Sequence, residues 1–193
     1  WVRNLYLQAL YAEVLVQADR PDEALAAARI ALRRDERFVP AMVAIIKASL
    51  KQGRTELAEA IIGQALEVDD SNAELHYLKA RMLLEQEGRL REALAGLRRA
   101  VELRPDYAEA RMALGIQLMG GANYTGALEQ FQAAAALAPT LVAVHLNLGD
   151  AQRANKQWTQ AKASFDRALA MQSSLPEAHF NLGLMYMTAG ADY

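Results

Sequence analysis

Between Ala108 and Leu141, apolar and small residues recur at steps of three and four in two runs. In the first run, Met112, Leu114, Gly115 and Leu118 fall on neighbouring faces of one helix. In the second, Tyr124, Ala127, Phe131 and Ala134 keep the same helical period. Gly120-Gly121 with Asn123 predict a break between them, and Pro139 stops the second run. The segment therefore predicts two helices back to back.

The segment returns when displaced by 34 residues. Gly115 becomes Gly149 and Gly183, Ala127 becomes Ala161, Phe131 becomes Phe165, Ala134 becomes Ala168, and Tyr124 becomes Trp158. Running backwards, with one extra residue in the Glu85–Gly88 turn, Ala127 maps to Ala93, Ala58 and Ala24. Ala134 maps to Ala100, Ala65 and Ala31, and the Gly115 position maps to Ala80, Ile46 and Ala12. Helices that cross closely within a pair, and again with the next pair, need small residues at the crossing. A period of this length with helix–turn–helix content marks a helical repeat array.

These residues carry a family likeness. Leu114-Gly115, Ala127, Phe131, Ala134 and Pro139 stand at the spacing of the tetratricopeptide repeat signature, and the chain resembles that family over its whole length. The resemblance implies an all-α fold: a right-handed superhelical solenoid of antiparallel helix pairs. About five repeats are expected, at 5–38, 39–72, 73–107, 108–141 and 142–175, plus one further helix in 176–193. The first helix is expected from Leu5 to Ala18, with Trp1–Asn4 as the tail of a preceding helix. Pro21 fits the first position of a second helix, where its missing N–H is no loss. Asp69-Asp70-Ser71-Asn72 supplies N-cap candidates. Pro176 opens the last helix and Gly190 is expected to end it. Nothing reads as strand.

Composition narrows the function. A net charge of −2 argues against a general nucleic-acid or anionic-membrane surface. No stretch approaches the roughly 18 uninterrupted apolar residues that span a bilayer. The absence of cysteine removes disulfides and thiol chemistry and fits either redox compartment. The chain starts at Trp1 rather than Met and stops one helix into a repeat, which suggests a piece of a longer or processed protein. Basic residues are mostly Arg and Ala is abundant, which suggests a bacterial source; periplasm or envelope is favoured over cytoplasm.

No catalytic constellation stands out, and neither a cofactor nor a small-molecule substrate is expected. The five serines lie in no nucleophile motif, and Gly120-Gly121 joins two helices rather than a strand to a helix. His76, His145 and His179 all fall at the fourth position of a repeat. A His145–His179 metal ladder has no acid at ligand spacing, so packing is the expected role. Asp69-Asp70 and Glu85/Glu87 read as solvated turn residues.

The resemblance implies a concave face lined by positions two, five, six, nine and twelve of each first helix. Read onto this chain, the candidate groove residues are Tyr77, Arg81, Met112, Ile116, Met119, Leu146, Asn147, Asp150, Phe180, Asn181 and Leu184. The apolar members would supply affinity. Arg81, Asp150 and Arg153, with the carboxamides of Asn147 and Asn181, would set the register of a bound segment. The fifth positions hold no Lys, so the carboxylate clamp of the family's chaperone-type grooves fails in its first element. The expected function is a non-enzymatic scaffold that holds a protein or peptide segment, in assembly of a bacterial envelope machine such as a pilus, secretion or motility complex. The alternatives are a regulatory or targeting domain of a larger enzyme, and a module that mainly self-associates. An end-to-end contact through the bare helix around Phe180–Met187 is the expected route of self-association.

Overall fold

The computed structural model describes residues 2–189, all of whose regular structure is helical. Two compact units, Trp1–Leu103 and Arg104–Tyr193, divide the chain. The first holds α1 (Val2–Gln17), α2 (Pro21–Leu32), α3 (Val39–Lys51), α4 (Thr55–Val68), α5 (Ala73–Leu84) and α6 (Leu90–Leu103). The second holds α7 (Ala108–Gly120), α8 (Tyr124–Leu137), α9 (Val142–Ala154), α10 (Trp158–Met171) and α11 (Pro176–Ala189). The expected tail of a preceding helix is not there: Val2–Asn4 continue into α1 as its first turn. Trp1, and Gly190 as a helix end, lie outside the described residues.

Small residues set the helix spacing in both units. Ala24 and Ala31, Ala58 and Ala65, and Ala93 and Ala100 are fully buried in the first. Ala127 and Ala134, and Ala161 and Ala168, are fully buried in the second. Volume is also exchanged across each pair. Where the eighth position is Gly115 or Gly149, the facing residue is Phe131 or Phe165, each with no exposed surface. A Cβ added to Gly115 would stand 2.5 Å from the Phe131 ring, and one added to Gly149 would stand 2.6 Å from the Phe165 ring. Where the eighth position is Ala12, Ile46 or Ala80, the facing residue shrinks to Ala28, Ile62 or Leu97.

The turns repeat as well. Asp19, Gly53, Gly88, Ala122 and Lys156 occupy the same place and all have positive φ, between 57° and 77°. In four of these turns the next N–H reaches back to a carbonyl five residues earlier: Arg20 to Leu15, Arg54 to Ser49, Asn123 to Leu118 and Gln157 to Gln152, at 2.8–2.9 Å. This is the helix-ending bond that a left-handed residue permits. The structure corrects the expected break in the second unit. Gly120 is still helical and Gly121 caps α7 with φ −87°, so the left-handed position falls to Ala122. At the other end of the loops, Asn72 accepts from the N–H groups of Glu74 and Leu75, as expected of an N-cap.

Two outcomes follow. Gly115→Ala should cost about 1–3 kcal/mol by overpacking against a ring with nowhere to go. The double variant with Phe131→Leu should recover most of that loss, because Ala80 and Leu97 already pair this way. Urea midpoints of the three proteins check it. Ala122→Gly should raise stability by about 1 kcal/mol, because a left-handed alanine costs roughly 1–2 kcal/mol that glycine avoids. Gly53→Ala should lose a similar amount, and thermal melts of both variants test the pair.

Candidate functional site

The fourth-position residues serve the fold. His76 Nε2 lies 2.8 Å from the carbonyl of Asp70, and His145 Nε2 lies 2.9 Å from that of Pro139. A carbonyl only accepts, so each ring carries its proton on Nε2. Arg111 does the same with Nε, donating to the Pro105 carbonyl at 2.7 Å. Each donor latches a first helix to the turn before it. His179 is exposed on α11 and makes no such bond among the described residues. Among the described residues no group of three His, Asp or Glu side chains could hold a metal ion.

In the first unit the expected groove face carries charge. Lys47 on α3 donates to Glu13 on α1 at 2.6 Å and pairs with Glu74 on α5 at 2.6 Å. Burial works against the Lys47 charge, but hydrogen bonds to Glu13 and Glu74 outweigh it and hold its pKa above the ordinary lysine value. The opposed signs of Glu13 and Lys47, both at ninth positions and 34 residues apart, were the sequence signal for this ladder. Tyr77 is half-buried, and the exposed Arg81 guanidinium stands 5.7 Å from its ring centroid. Ala9 and Val43, the fifth positions of the first two repeats, are buried and contribute nothing to a surface.

In the second unit the same face is apolar at its edges and polar between. Met112 and Met119 on α7 are half-buried against Phe131 and Leu148, whereas Ile116 between them is 45% exposed. Leu146 on α9 is half-buried and turned into the contacts of Phe165 and Met185. Asp150 and Arg153, both expected to set the register of a bound segment, bind one another at 2.6 and 3.0 Å. Asn147 donates one amide N–H to the Ala143 carbonyl of its own helix at 2.7 Å, leaving Oδ1 and the second N–H. On α11, Asn181 and Leu184 are half-buried and Phe180 is 66% exposed. Of the apolar residues expected on this face, Ile116 and Phe180 are therefore the exposed ones, with a self-neutralised ion pair on the helix between theirs.

Exposed aromatic and aliphatic side chains also mark α1, where Leu7, Leu10, Tyr11 and Val14 form a stripe at steps of three and four. The repeat phase had given these residues no role; their helical spacing was the available signal. None of the described helices is long and apolar enough to cross a membrane.

Comparison with known proteins agrees with this geometry. One tetratricopeptide repeat model matches residues 15–82, and another matches 83–141 and 146–192. No curated protein matches the sequence. Among solved structures, Pseudomonas aeruginosa PilF is similar at 19% identity with a TM-score of 0.84, covering 97% of this chain and 85% of its own. PilW, a type IV pilus biogenesis factor, is similar at 17% identity and TM-score 0.77, covering 96% and 86%. YrrB, whose structure is described as having an unusual peptide-binding site, is similar at 25% identity and TM-score 0.66, covering 90% and 89%.

The charge ladder gives a pH-dependent outcome. A lysine pKa raised by folding adds stability in full below the ordinary value of about 10.4, and that stability is lost as pH rises through the folded value. Lys47→Met should therefore cost about 1–2 kcal/mol near pH 8 and less above the raised pKa. Urea midpoints of both proteins at the two pH values check this; an equal difference at both would refute the ladder.

Proposed function

The chain belongs to the tetratricopeptide repeat family, and on that footing we propose that it is a non-enzymatic scaffold that holds a segment of a partner protein against the first-helix face of its second unit. The observation that carries this is the exposure of Ile116 and Phe180, at 45% and 66%, on the face this fold uses for contact. Ile116 has α9 packed beside its helix and is still 45% exposed, so its exposure belongs to the face itself. Met112, Met119, Leu146 and Leu184, at groove positions of the same first helices, are half-buried, and methionine adapts to varied side chains. The Asp150–Arg153 pair and the side-chain carbonyl oxygen of Asn147 supply polar contacts. Tyr77 and Arg81 form a separate small aromatic–cation surface on the first unit. The process we propose is assembly of a bacterial envelope machine; its support is analogy, since solved structures of this fold include a type IV pilus biogenesis factor.

The test is selection of a displayed peptide library on the chain, followed by solution titration of the enriched peptides. They should carry apolar anchors, and Ile116→Asp or Phe180→Asp should weaken each by about tenfold or more. Amidating their C-termini should leave binding unchanged. Enriched peptides indifferent to both substitutions would overturn the reading.

A further inference from the structure

In the second unit, α8 and α10 both pack on α9 and leave a cleft of about 430 Å³ between them. In the preceding helix pair, residues at two of the equivalent positions bond to each other: Arg111 Nη1 on α7 donates to Gln130 Oε1 on α8 at 3.0 Å. Displaced by 34 residues, Arg111 becomes His145 and Gln130 becomes Ser164. Two long side chains joined across the helices are thus replaced by two short ones, and both of these line the cleft. His145 turns its Nε2 to the Pro139 carbonyl, and the Ser164 hydroxyl donates to Gln152 Oε1 at 2.7 Å. Two further changes give the space its chemistry. Gln152 stands where α7 has Leu118, and Arg167 stands where α8 has Ala133. Gln152 is only 7% exposed and lines the cleft. Its Oε1 is taken by Ser164, and its Nε2 has no acceptor among the described residues. A buried N–H without an acceptor is costly, so a ligand that supplies one gains by doing so. Ala135, Leu148 and Ala163 add hydrocarbon walls, the exposed Arg167 adds a positive charge, and no acidic side chain lines the space.

We propose that this cleft binds a carboxylate carried on a compact apolar body, with Gln152 Nε2 donating to the carboxylate and Arg167 supplying the opposite charge. The head is specified by an unpartnered amide donor and a cation with no acid beside them. The body is specified by the Leu148 and alanine walls and by size, since ligand pockets run from about 300 to 1,000 Å³ and this one lies near the lower end. A free organic acid and the C-terminal residue of a peptide both present this chemistry. Neither Ile116 nor Phe180 lines the cleft, so the site stands or falls independently of the groove.

The probe is phenylacetate, titrated at millimolar concentrations into the isotope-labelled whole chain and followed by nuclear magnetic resonance. Saturable movement of the Gln152 side-chain amide signals is expected. Phenylacetamide, of the same shape without the charge, should bind about fivefold more weakly or worse. Arg167→Ala should weaken phenylacetate by a similar factor, and because Arg167 is exposed its thermal melt should match the parent. Gln152→Leu, followed by the backbone signal of Ala163, should weaken it as well. N-acetylphenylalanine is the second arm. Tighter binding than phenylacetate makes a chain terminus the source and weaker binding makes it a free acid; either result carries the proposal. No saturation with either acid overturns it, as does equal binding of acid and amide, or binding that ignores both substitutions. Binding lost in Ile116→Asp or Phe180→Asp but kept in Arg167→Ala would move the acid to the groove, overturning the cleft and leaving the groove reading intact.

Discussion

Close approach of helix backbones is the constraint on which the rest of this protein depends. The buried alanines at each crossing leave no side chain to hold the helices apart, so every other core residue must fit the gap that remains. The exchange of volume between positions shows how strictly it is filled. A glycine faces a phenylalanine in α7–α8 and α9–α10, and an alanine faces an alanine or leucine in α1–α2 and α5–α6. The helix pairs differ in which side supplies the bulk, while the crossing stays the same.

The crossings were legible in the sequence because small residues recurring at one fixed spacing are what tightly crossed helices require, and little else requires them. Helix boundaries followed from prolines and polar turns to within a residue or two, as at Pro21, Asn72 and Pro176. The left-handed turn position was harder. Gly53 and Gly88 announce it, but Asp19, Ala122 and Lys156 do the same work with side chains that dislike it, and Gly120-Gly121 drew attention to the wrong place. Only the repeat phase, applied to the turns as well as to the helices, would have found Ala122.

The candidate site was legible by position and not by bonding. Repeat phase assigned Ile116, Asp150 and Phe180 to the first-helix face, yet it could not tell which of them a neighbour would cover or engage. Asn147 donates to its own helix, Asp150 is taken by Arg153, and Lys47 is held between Glu13 and Glu74. These pairings depend on rotamers one turn away, and a set of positions carries no rotamers. What remains uncovered is a short set of apolar side chains, and that subtraction gives the groove reading its content.

The latches from fourth-position side chains to preceding turns also bear on how the array responds to force. A chain of helix hairpins, each in contact mainly with its neighbours, yields locally rather than all at once. His76, Arg111 and His145 each tie one first helix to the carbonyl of the turn before it, so peeling such a helix away must break a directed bond as well as apolar contacts. Among the described residues α11 has no such tie, because His179 stands in water. Under load, α11 parts from α10 without a bond of this kind to break, whereas α5, α7 and α9 each resist with one.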